Sequence, residues 1–207
     1  MNAKARRTNE ERSAETRGRI LEAALDCLAE LGYAGTTTTA IAERAGVSRG
    51  AQLHHFPTRA SLIAAAVEHL YAGLRHDYER AFQKLPPGRD RVGAAIDLFW
   101  KVWHDARLVA VLELHVAART DRELAAALVP VATEHQHHIV RLARHFFPRE
   151  ALAEPRFLAV LDVVQESLRG MAIGYLLDAD REYVARTLAM LKEMVSSALR
   201  SATTREK

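Results

Sequence analysis

The sequence is poor in the features that build disulfide-linked, zinc-binding and membrane proteins. It contains a single cysteine, Cys27, which excludes an internal disulfide and any zinc site that needs several cysteines. No run reaches the roughly 18–20 uncharged apolar residues of a membrane-spanning helix. The basic first residues lack the apolar segment of a signal peptide. We therefore expect a cytoplasmic protein that does not contact a membrane.

Glycine and proline are also scarce, with 10 and 6 residues in a chain of 207. No stretch alternates β-branched and polar residues over the length of a strand, whereas Ala, Leu, Arg and Glu, which favour helix, dominate. A chain of this length can bury most of its apolar surface without disulfides or metals. These features predict an all-α protein with about nine helices.

Positive charge is concentrated at the N-terminus. The whole chain has a net charge of +3, and residues 1–20 contain six basic against three acidic side chains, which accounts for the entire excess. We interpret residues 1–13 as a flexible basic arm. Such an arm either lies along DNA or only increases solubility, and its charge alone does not decide between these roles.

The next segment has the pattern of a helix-turn-helix. A first helix begins near Glu15 and ends at Gly32, and threonines then cap a short second helix that runs to about Arg44. Gly46 interrupts the helical pattern, and Ser48 caps a third helix. Two short helices joined by a tight turn with a glycine form a helix-turn-helix, whose second helix enters the major groove of DNA.

Helical phase divides this third helix into an inward and an outward side. Gln52 and Phe56 share the inward side, where a buried Gln52 would need hydrogen-bond partners that the sequence does not identify. An arginine at the start of the outward side can bind guanine O6 and N7 with two hydrogen bonds. The alternative is the solvated face of an ordinary helix, and the turn pattern favours DNA contact. The outward residues are Arg49, Gly50, Leu53 and His54.

The run from Gly32 to Pro57, GYAGTTTTAIAERAGVSRGAQLHHFP, resembles the TetR family of transcriptional regulators, as does the sequence around it over roughly residues 14–65. The resemblance implies a DNA-binding domain at residues 14–57 and a helical ligand-binding and dimerisation domain at residues 58–207. It also implies a homodimer that binds a palindromic operator in double-stranded DNA. A small organic effector that binds the second domain would release this repressor from its operator.

The resemblance also implies which side chains contact DNA. The family usually has a tyrosine that touches the DNA backbone where this chain has Leu53, so one phosphate contact is expected to be absent. Ser48 joins the candidates as the cap of the third helix. Phosphate contacts fall on Thr38, His55 and Arg59, and base contacts fall on Thr39, Arg49, Gly50, Leu53 and His54.

The last two helices, predicted at about residues 156–178 and 180–202, are expected to form the dimer interface. Apolar residues cover much of the circumference of the first of them, which indicates burial on more than one side. Two such helices can pair with their copies as a four-helix bundle. The alternative is that they only close the core of one protomer.

Candidate effector-binding residues combine aromatic bulk with a few polar groups, as small-molecule pockets do. Core packing is the alternative explanation for each aromatic residue. We expect no cofactor and no metal, because nothing completes a site around His135, His137 and His138. The candidates are Trp100, Trp103, His104, His115, Gln165, Met171 and Tyr175.

An all-helical enzyme or small-molecule carrier with a merely structural N-terminal domain is the alternative class. Residues 46–50 match the Gly-x-Ser-x-Gly pattern of hydrolases, but that motif needs a preceding strand, and a helix is predicted here. We therefore do not expect an enzyme. An activator, or a regulator without a ligand, remains compatible with the sequence.

Overall fold

The computed structural model describes residues 8–85, 91–103, 105–147 and 156–203. Within these ranges the chain forms nine helices and no strands, which confirms the predicted all-α class. None of these helices is long and apolar enough to cross a membrane. The helices are α1 (Asn9–Gly35), α2 (Thr38–Ala45), α3 (Arg49–His55), α4 (Arg59–Gln83), α5 (Arg91–Val102), α6 (Ala106–Ala118), α7 (Arg122–Phe146), α8 (Arg156–Leu177) and α9 (Arg181–Thr203).

Helix α1 begins earlier than its apolar pattern indicates. The Thr8 hydroxyl accepts a hydrogen bond from the Glu11 amide at 3.1 Å, and the Glu11 carboxylate accepts one from the Thr8 amide at 2.8 Å. This reciprocal capping box satisfies two amides that the first turn would otherwise leave free. Residues 9–13 are therefore helical, which corrects the prediction of a flexible arm up to residue 13. Residues 1–7 of that arm lie outside the described residues.

The chain divides into two compact units that do not follow the expected boundary after residue 57. The first unit contains the described residues up to Ala72 together with Ala110–Ala132. The second unit contains Gly73–Val109 and the described residues from Thr133 onward. Helices α4, α6 and α7 each contribute residues to both units. The first unit is thus larger than the three-helix domain that the sequence predicts.

Each unit has its own apolar core. In the first unit, α1 buries Ile20, Ala24 and Leu28 against the helices of the helix-turn-helix. Cys27 lies in this core with 1% of its surface exposed, and burial raises the pKa of its thiol. A buried thiol with a raised pKa has little of the thiolate form that reacts. In the second unit, α8 packs along α9, and α5 packs against both.

Helix α7 passes through Pro130 without ending. Proline has no amide hydrogen and disfavours the helical conformation of the preceding residue, so the sequence predicts an interruption or kink here before the helix continues to Phe147. The helix is continuous from Arg122 to Phe146, in agreement with the predicted continuation, and the kink stays a prediction.

Candidate functional site

The turn between α2 and α3 is fixed by capping contacts at both ends. Thr37 caps α2 by accepting the Ala40 amide at 3.1 Å. Gly46 ends the helix in the left-handed conformation, with φ 62° and ψ 41°. The Val47 amide then donates to the Ala42 carbonyl at 3.0 Å, which closes the turn. The glycine turn expected from the sequence is therefore present.

A side chain from α1 also holds this turn. Arg19 donates to the carbonyl oxygens of Ala45 and Gly46, and the contact with Gly46 measures 2.9 Å. A Cβ added at Gly46 would lie 3.3 Å from the Arg19 guanidinium, and it would also be strained by the positive φ. The sequence analysis missed Arg19, since nothing in its spacing indicates a contact with carbonyls 26 and 27 residues away.

Helix α3 is anchored by its inward side. Ser48 caps it by accepting the Ala51 amide at 3.2 Å. Gln52 and Phe56 are 1% and 5% exposed, which confirms their predicted burial. The Gln52 amide oxygen has no hydrogen-bond partner. Arg17 of α1 lies over the Phe56 ring with its guanidinium carbon 5.3 Å from the ring centre. The inward side thus fixes the orientation of α3.

The outward side of α3 is free of such packing. Arg49, Gly50 and His54 are exposed, and 48% of the Leu53 surface is accessible. His55 is half-buried and lies edge-on to His54, with ring centres 5.6 Å apart. On α2, Thr39 is exposed and Thr38 is half-buried. These side chains have the exposure that DNA contacts require, and their assignment to particular bases or phosphates stays a prediction.

Arg59 makes internal contacts that the sequence analysis did not foresee. Its Nε donates to the Thr36 carbonyl at 2.8 Å, and its Nη2 donates to the Tyr33 carbonyl. The guanidinium also stacks on the Tyr33 ring, 3.9 Å from the ring centre. The predicted phosphate contact therefore uses a side chain that already holds the segment between α1 and α2.

Two acidic residues attach this segment to α6 and to the start of α7, all within the first unit. Gly32 has a positive φ of 65°, and the carboxylate of Glu113 accepts the next amide, that of Tyr33, at 2.9 Å. The Tyr33 hydroxyl donates to Asp121 at 2.7 Å. Asp121 also accepts the Leu124 amide at 2.9 Å. The Leu124 amide, followed by the Tyr33 hydroxyl, lowers the pKa of Asp121.

The expected effector-binding residues do not form one group. Trp100 is buried and meets Tyr175 edge-on with ring centres 6.2 Å apart, and Met171 is buried on the same helix as Tyr175. Trp103 and Gln165 are half-buried. His115 is exposed and belongs to the first unit, and its role in effector binding stays a prediction. His104 lies outside the described residues.

A small apolar cavity of about 60 Å³ lies in the second unit, between α5, α8 and α9 and the ends of α4 and α7. No predicted effector residue lines it. The sequence criterion, aromatic residues combined with polar ones, does not identify this cavity, because its lining is hydrocarbon. Four aromatic rings line it beside aliphatic side chains, and these are Phe82, Phe99, Phe147 and Phe157.

A larger groove of about 450 Å³, here called the α4–α7 groove, has both polar and apolar walls and lies between α4 and α7. Helix α4 contributes Glu79 and Gln83. The rings of Phe82 and Phe146, which line the cavity and the groove respectively, are 5.3 Å apart. Helix α7 contributes His138, Arg141, Leu142, His145 and Phe146.

The histidines of α7 differ in their surroundings. Burial, followed by the nearby His138, lowers the pKa of His135 to about 4. Burial and then the charge of Arg75 also lower the pKa of His138, so both rings are neutral at pH 7. His137 is exposed and lies 3.9 Å from Glu134. In the parts of the chain described, no three or more His, Cys, Asp or Glu side chains could hold a metal ion.

Comparison with known proteins agrees with this geometry. Residues 20–66 match the family model described as "Bacterial regulatory proteins, tetR family". The HTH-type transcriptional regulator CymR of Pseudomonas putida is 32% identical over 181 residues, which cover 87% of this chain and 89% of that protein. The chain therefore belongs to the TetR family and is a DNA-binding transcriptional regulator. The enzyme or carrier alternative is set aside, since the relatives are named as regulators.

Solved structures share the fold. A transcriptional regulator from Pseudomonas aeruginosa PAO1 superposes with a TM-score of 0.70, at 20% identity over 98% of this chain and 97% of that one. The multidrug binding protein EbrR complexed with imidazole gives a TM-score of 0.62, at 26% identity over 84% of this chain and 93% of that one. Both matches extend beyond the helix-turn-helix into the rest of the chain.

Proposed function

We propose that this regulator is a homodimeric repressor that binds a palindromic operator through α3 and leaves it when a small organic effector binds the second unit. The DNA-binding part of the proposal rests on one observation, that α3 has a packed inward side and an exposed outward side. Its inward side is fixed by Gln52 and Phe56, while Arg49 and Leu53 remain open to a partner. A rigidly held helix with exposed hydrogen-bond donors suits base contact in the major groove. Since its partner is chromosomal DNA, we place the protein in the cytoplasm.

The dimer part of the proposal rests on matching stripes along α8 and α9. On α8, Val163, Gly170 and Gly174 are exposed at successive spacings of seven and four residues. On α9, the exposed residues Tyr183, Met190 and Met194 have the same two spacings, seven residues and then four. An added Cβ at either glycine would meet nothing within 4 Å. Small and apolar residues in register allow close packing against a second copy.

The effector part is supported by the cavity and the groove in the second unit and by the EbrR structures, which are titled as complexes with imidazole and with ethidium. A difference of about 1–3 kcal/mol in effector affinity between free and DNA-bound protein is enough for a useful switch. Screening compounds for release of bound operator DNA tests this part. Saturating effector that left operator affinity unchanged would contradict it.

A selection from random DNA tests the DNA-binding part. Purified protein should enrich an inverted repeat, because a twofold dimer presents two copies of α3 to two half-sites. On the selected operator, Arg49→Ala should weaken binding by about 1–3 kcal/mol and relax the preference at one base pair per half-site. Arg80→Ala removes the same charge from an exposed site on α4 and serves as the matched control. Unchanged sequence preference in the Arg49 variant would overturn the assignment.

Sedimentation of a double variant, Met190→Glu with Met194→Glu, tests the dimer part. Two buried charges in each copy of the interface should leave a folded monomer with weakened operator binding. Val116→Glu places a charge at another exposed apolar residue and should leave the dimer intact. If the wild type sediments as a monomer, or the double variant remains a dimer, α8 and α9 are not the interface.

A further inference from the structure

We propose that the α4–α7 groove binds an organic acid, with its carboxylate beside Arg75 and His138 and its apolar body against Leu142 and Phe146. This inference rests on the proposed function, since it names the chemical class of the effector. It is carried by the juxtaposition of a half-buried cation, a buried imidazole nitrogen without a partner, and an open groove with apolar walls.

Helical spacing places a cationic end on this groove. Glu79 and Gln83 line it from α4, and Arg75 lies one turn earlier on the same face. His138 lines the groove from α7, and His135 lies one turn earlier on that helix. The charge of Arg75 lowers the pKa of both imidazoles, which shows that these groups interact. Arg75 and His135 therefore lie near His138, which itself lines the groove.

None of the ion pairs described around this end of the groove includes Arg75. Arg141 is paired with Glu134 at 2.8 Å, and Arg169 is paired with Glu166 at 3.0 Å. Among the residues that the structure describes, no carboxylate lies within 4.0 Å of the half-buried Arg75 guanidinium. Glu79 is exposed at the rim of the groove, four residues further along α4. Arg75 is therefore outside the close ion pairs, although its charge also lowers the pKa of Glu134, which is already hydrogen-bonded to Arg141. An anion from solution would add a counter-charge beside Arg75.

The hydrogen bonds that remain to be made are donated by nitrogen atoms. The Nε2 of His138 is buried and has no hydrogen-bond partner. A neutral imidazole can carry its proton on this nitrogen and donate it to an oxygen. The Nε of Arg169, which is always protonated, is also buried without a partner. A ligand that supplies acceptor oxygens would satisfy such atoms, whereas a ligand that supplies donors would not.

The remaining walls favour a monoanion with a hydrocarbon body. Leu142 and Phe146 give the groove an apolar side, and its volume of about 450 Å³ is within the range of small-molecule sites. Glu79 would repel the second charge of a phosphate more than the single charge of a carboxylate. A carboxylic acid with an aromatic or aliphatic body combines these requirements.

Calorimetric titration of the free dimer with 3-phenylpropanoate and with 3-phenylpropanamide tests the inference. The two probes have the same size and shape, and only the first is an anion. We expect a millimolar dissociation constant for the acid, as is usual for a fragment of this size. The amide should bind about tenfold more weakly, because it cannot form charge-assisted contacts. Equal affinity for the two probes, or no binding of the acid, would overturn the inference.

Variants locate the binding site. Arg75→Met should weaken the acid about tenfold while leaving the amide unchanged. His138→Phe should weaken both probes, because each offers an acceptor oxygen to the imidazole. Arg80→Met and His137→Phe are matched controls, since they make the same changes at exposed positions of the same two helices. Circular dichroism checks that the variants fold. If His138→Phe does not fold, Arg75→Met still tests the site. Acid binding that survives Arg75→Met in a folded protein would contradict the assigned site.

The titration needs no DNA, so its outcome is independent of the proposed function. Binding of the acid through Arg75 without release of operator DNA would support the site and count against effector-induced release. Operator binding by a protein that ignores every carboxylate probe would leave the repressor proposal standing and remove this inference.

Discussion

The two units of the molecule differ in how far their polar groups are satisfied by hydrogen bonds. In the first unit, the breaks between α1, α2 and α3 are closed by hydrogen bonds that Arg19 and Arg59 donate and by one that Glu113 accepts. In the second unit, the Nε2 of His138 and the Nε of Arg169 are buried without partners. The second unit also contains the cavity and the groove. Unmet hydrogen bonds and empty volume cost stability, and proteins retain them where something binds.

This difference follows from what each unit does in the proposed mechanism. Two copies of α3 must match the spacing of two half-sites, so the first unit has to hold α3 rigidly. An effector site must instead remain open and incomplete until its ligand arrives. The first unit contains one clear exception, the Gln52 amide oxygen, which is buried without a partner beneath α3.

The largest expected effect comes from enlarging the cavity. Phe82 is 1% exposed and contacts the rings of Phe99 and Phe147, so Phe82→Ala should cost about 3–5 kcal/mol of unfolding free energy, measured by urea denaturation. Operator affinity of the folded fraction should stay near that of the wild type. The fully buried Ile41 of α2 gives the comparison, since Ile41→Ala should impair both stability and operator binding. Equal loss of operator affinity in the two variants would show that the units are not functionally distinct.

A pH effect should also separate the units. His135 has a pKa of about 4 in the folded protein, lowered from 6.5 by burial and by its neighbours His138, Arg75 and Arg169. The unfolded chain therefore binds a proton more readily. Stability from the neutral ring is fully present above pH 6.5 and is lost as the pH falls towards 4. Urea unfolding across this range should show a loss of about 1–3 kcal/mol.

The His135→Phe variant should abolish most of this slope, because it removes the titrating ring. His137→Phe, at an exposed neighbouring position, should retain it. A slope that persists in His135→Phe would show that another group in the protein titrates.

Gln52 offers a test within the first unit. Replacing it with methionine, which has a similar shape, removes the unsatisfied oxygen and should raise the free energy of unfolding by about 1 kcal/mol. Gln136→Met is the control, because that side chain donates to Asp162 at 3.4 Å and is only half-buried. Operator affinity reports whether α3 keeps its orientation. A destabilised Gln52→Met variant would mean that the other atoms of the amide make contacts worth more than the unsatisfied oxygen costs.

The smallest expected effect concerns the link to α7. Tyr33→Phe removes the hydroxyl that donates to Asp121 and should cost about 0.5–1 kcal/mol of unfolding free energy, measured by thermal denaturation. Tyr183→Phe, at an exposed tyrosine of α9, should leave stability unchanged. Hydrogen exchange at the Leu124 amide should accelerate in Tyr33→Phe alone, and unaltered exchange there would show that the contact does not order the start of α7.

The features that could be predicted from the sequence are local ones. Gly46, Ser48 and the inward phase of Gln52 and Phe56 depend on residues within a few positions of one another, and all three are found in the structure. The capping box of Thr8 and Glu11 has the same local character, but its signature was overlooked in the basic arm. Helix ends and faces follow from short-range rules.

Contacts between distant segments could not be predicted. Glu113 and Asp121 meet Tyr33 across 80 and 88 residues, and no spacing rule indicates such a meeting. The distribution of the effector candidates between the two units could not be predicted for a related reason. His115 and Trp100 both have the composition expected of a pocket, but the path of the chain places them in different units. Packing decides these relationships, and a single sequence does not contain a pattern for it.

The discontinuous first unit sets a limit on engineering by fragment exchange. A DNA-binding fragment that ends at residue 57 or at Ala72 would lack Ala110–Ala132. It would therefore lack the two carboxylates that accept hydrogen bonds from Tyr33. In a chimera made at either point, Tyr33 would come from one protein and the segment that it contacts would come from the other. Exchange of operator specificity between regulators of this kind therefore calls for transplanting the outward residues of α3 alone, or for carrying both segments of the unit together.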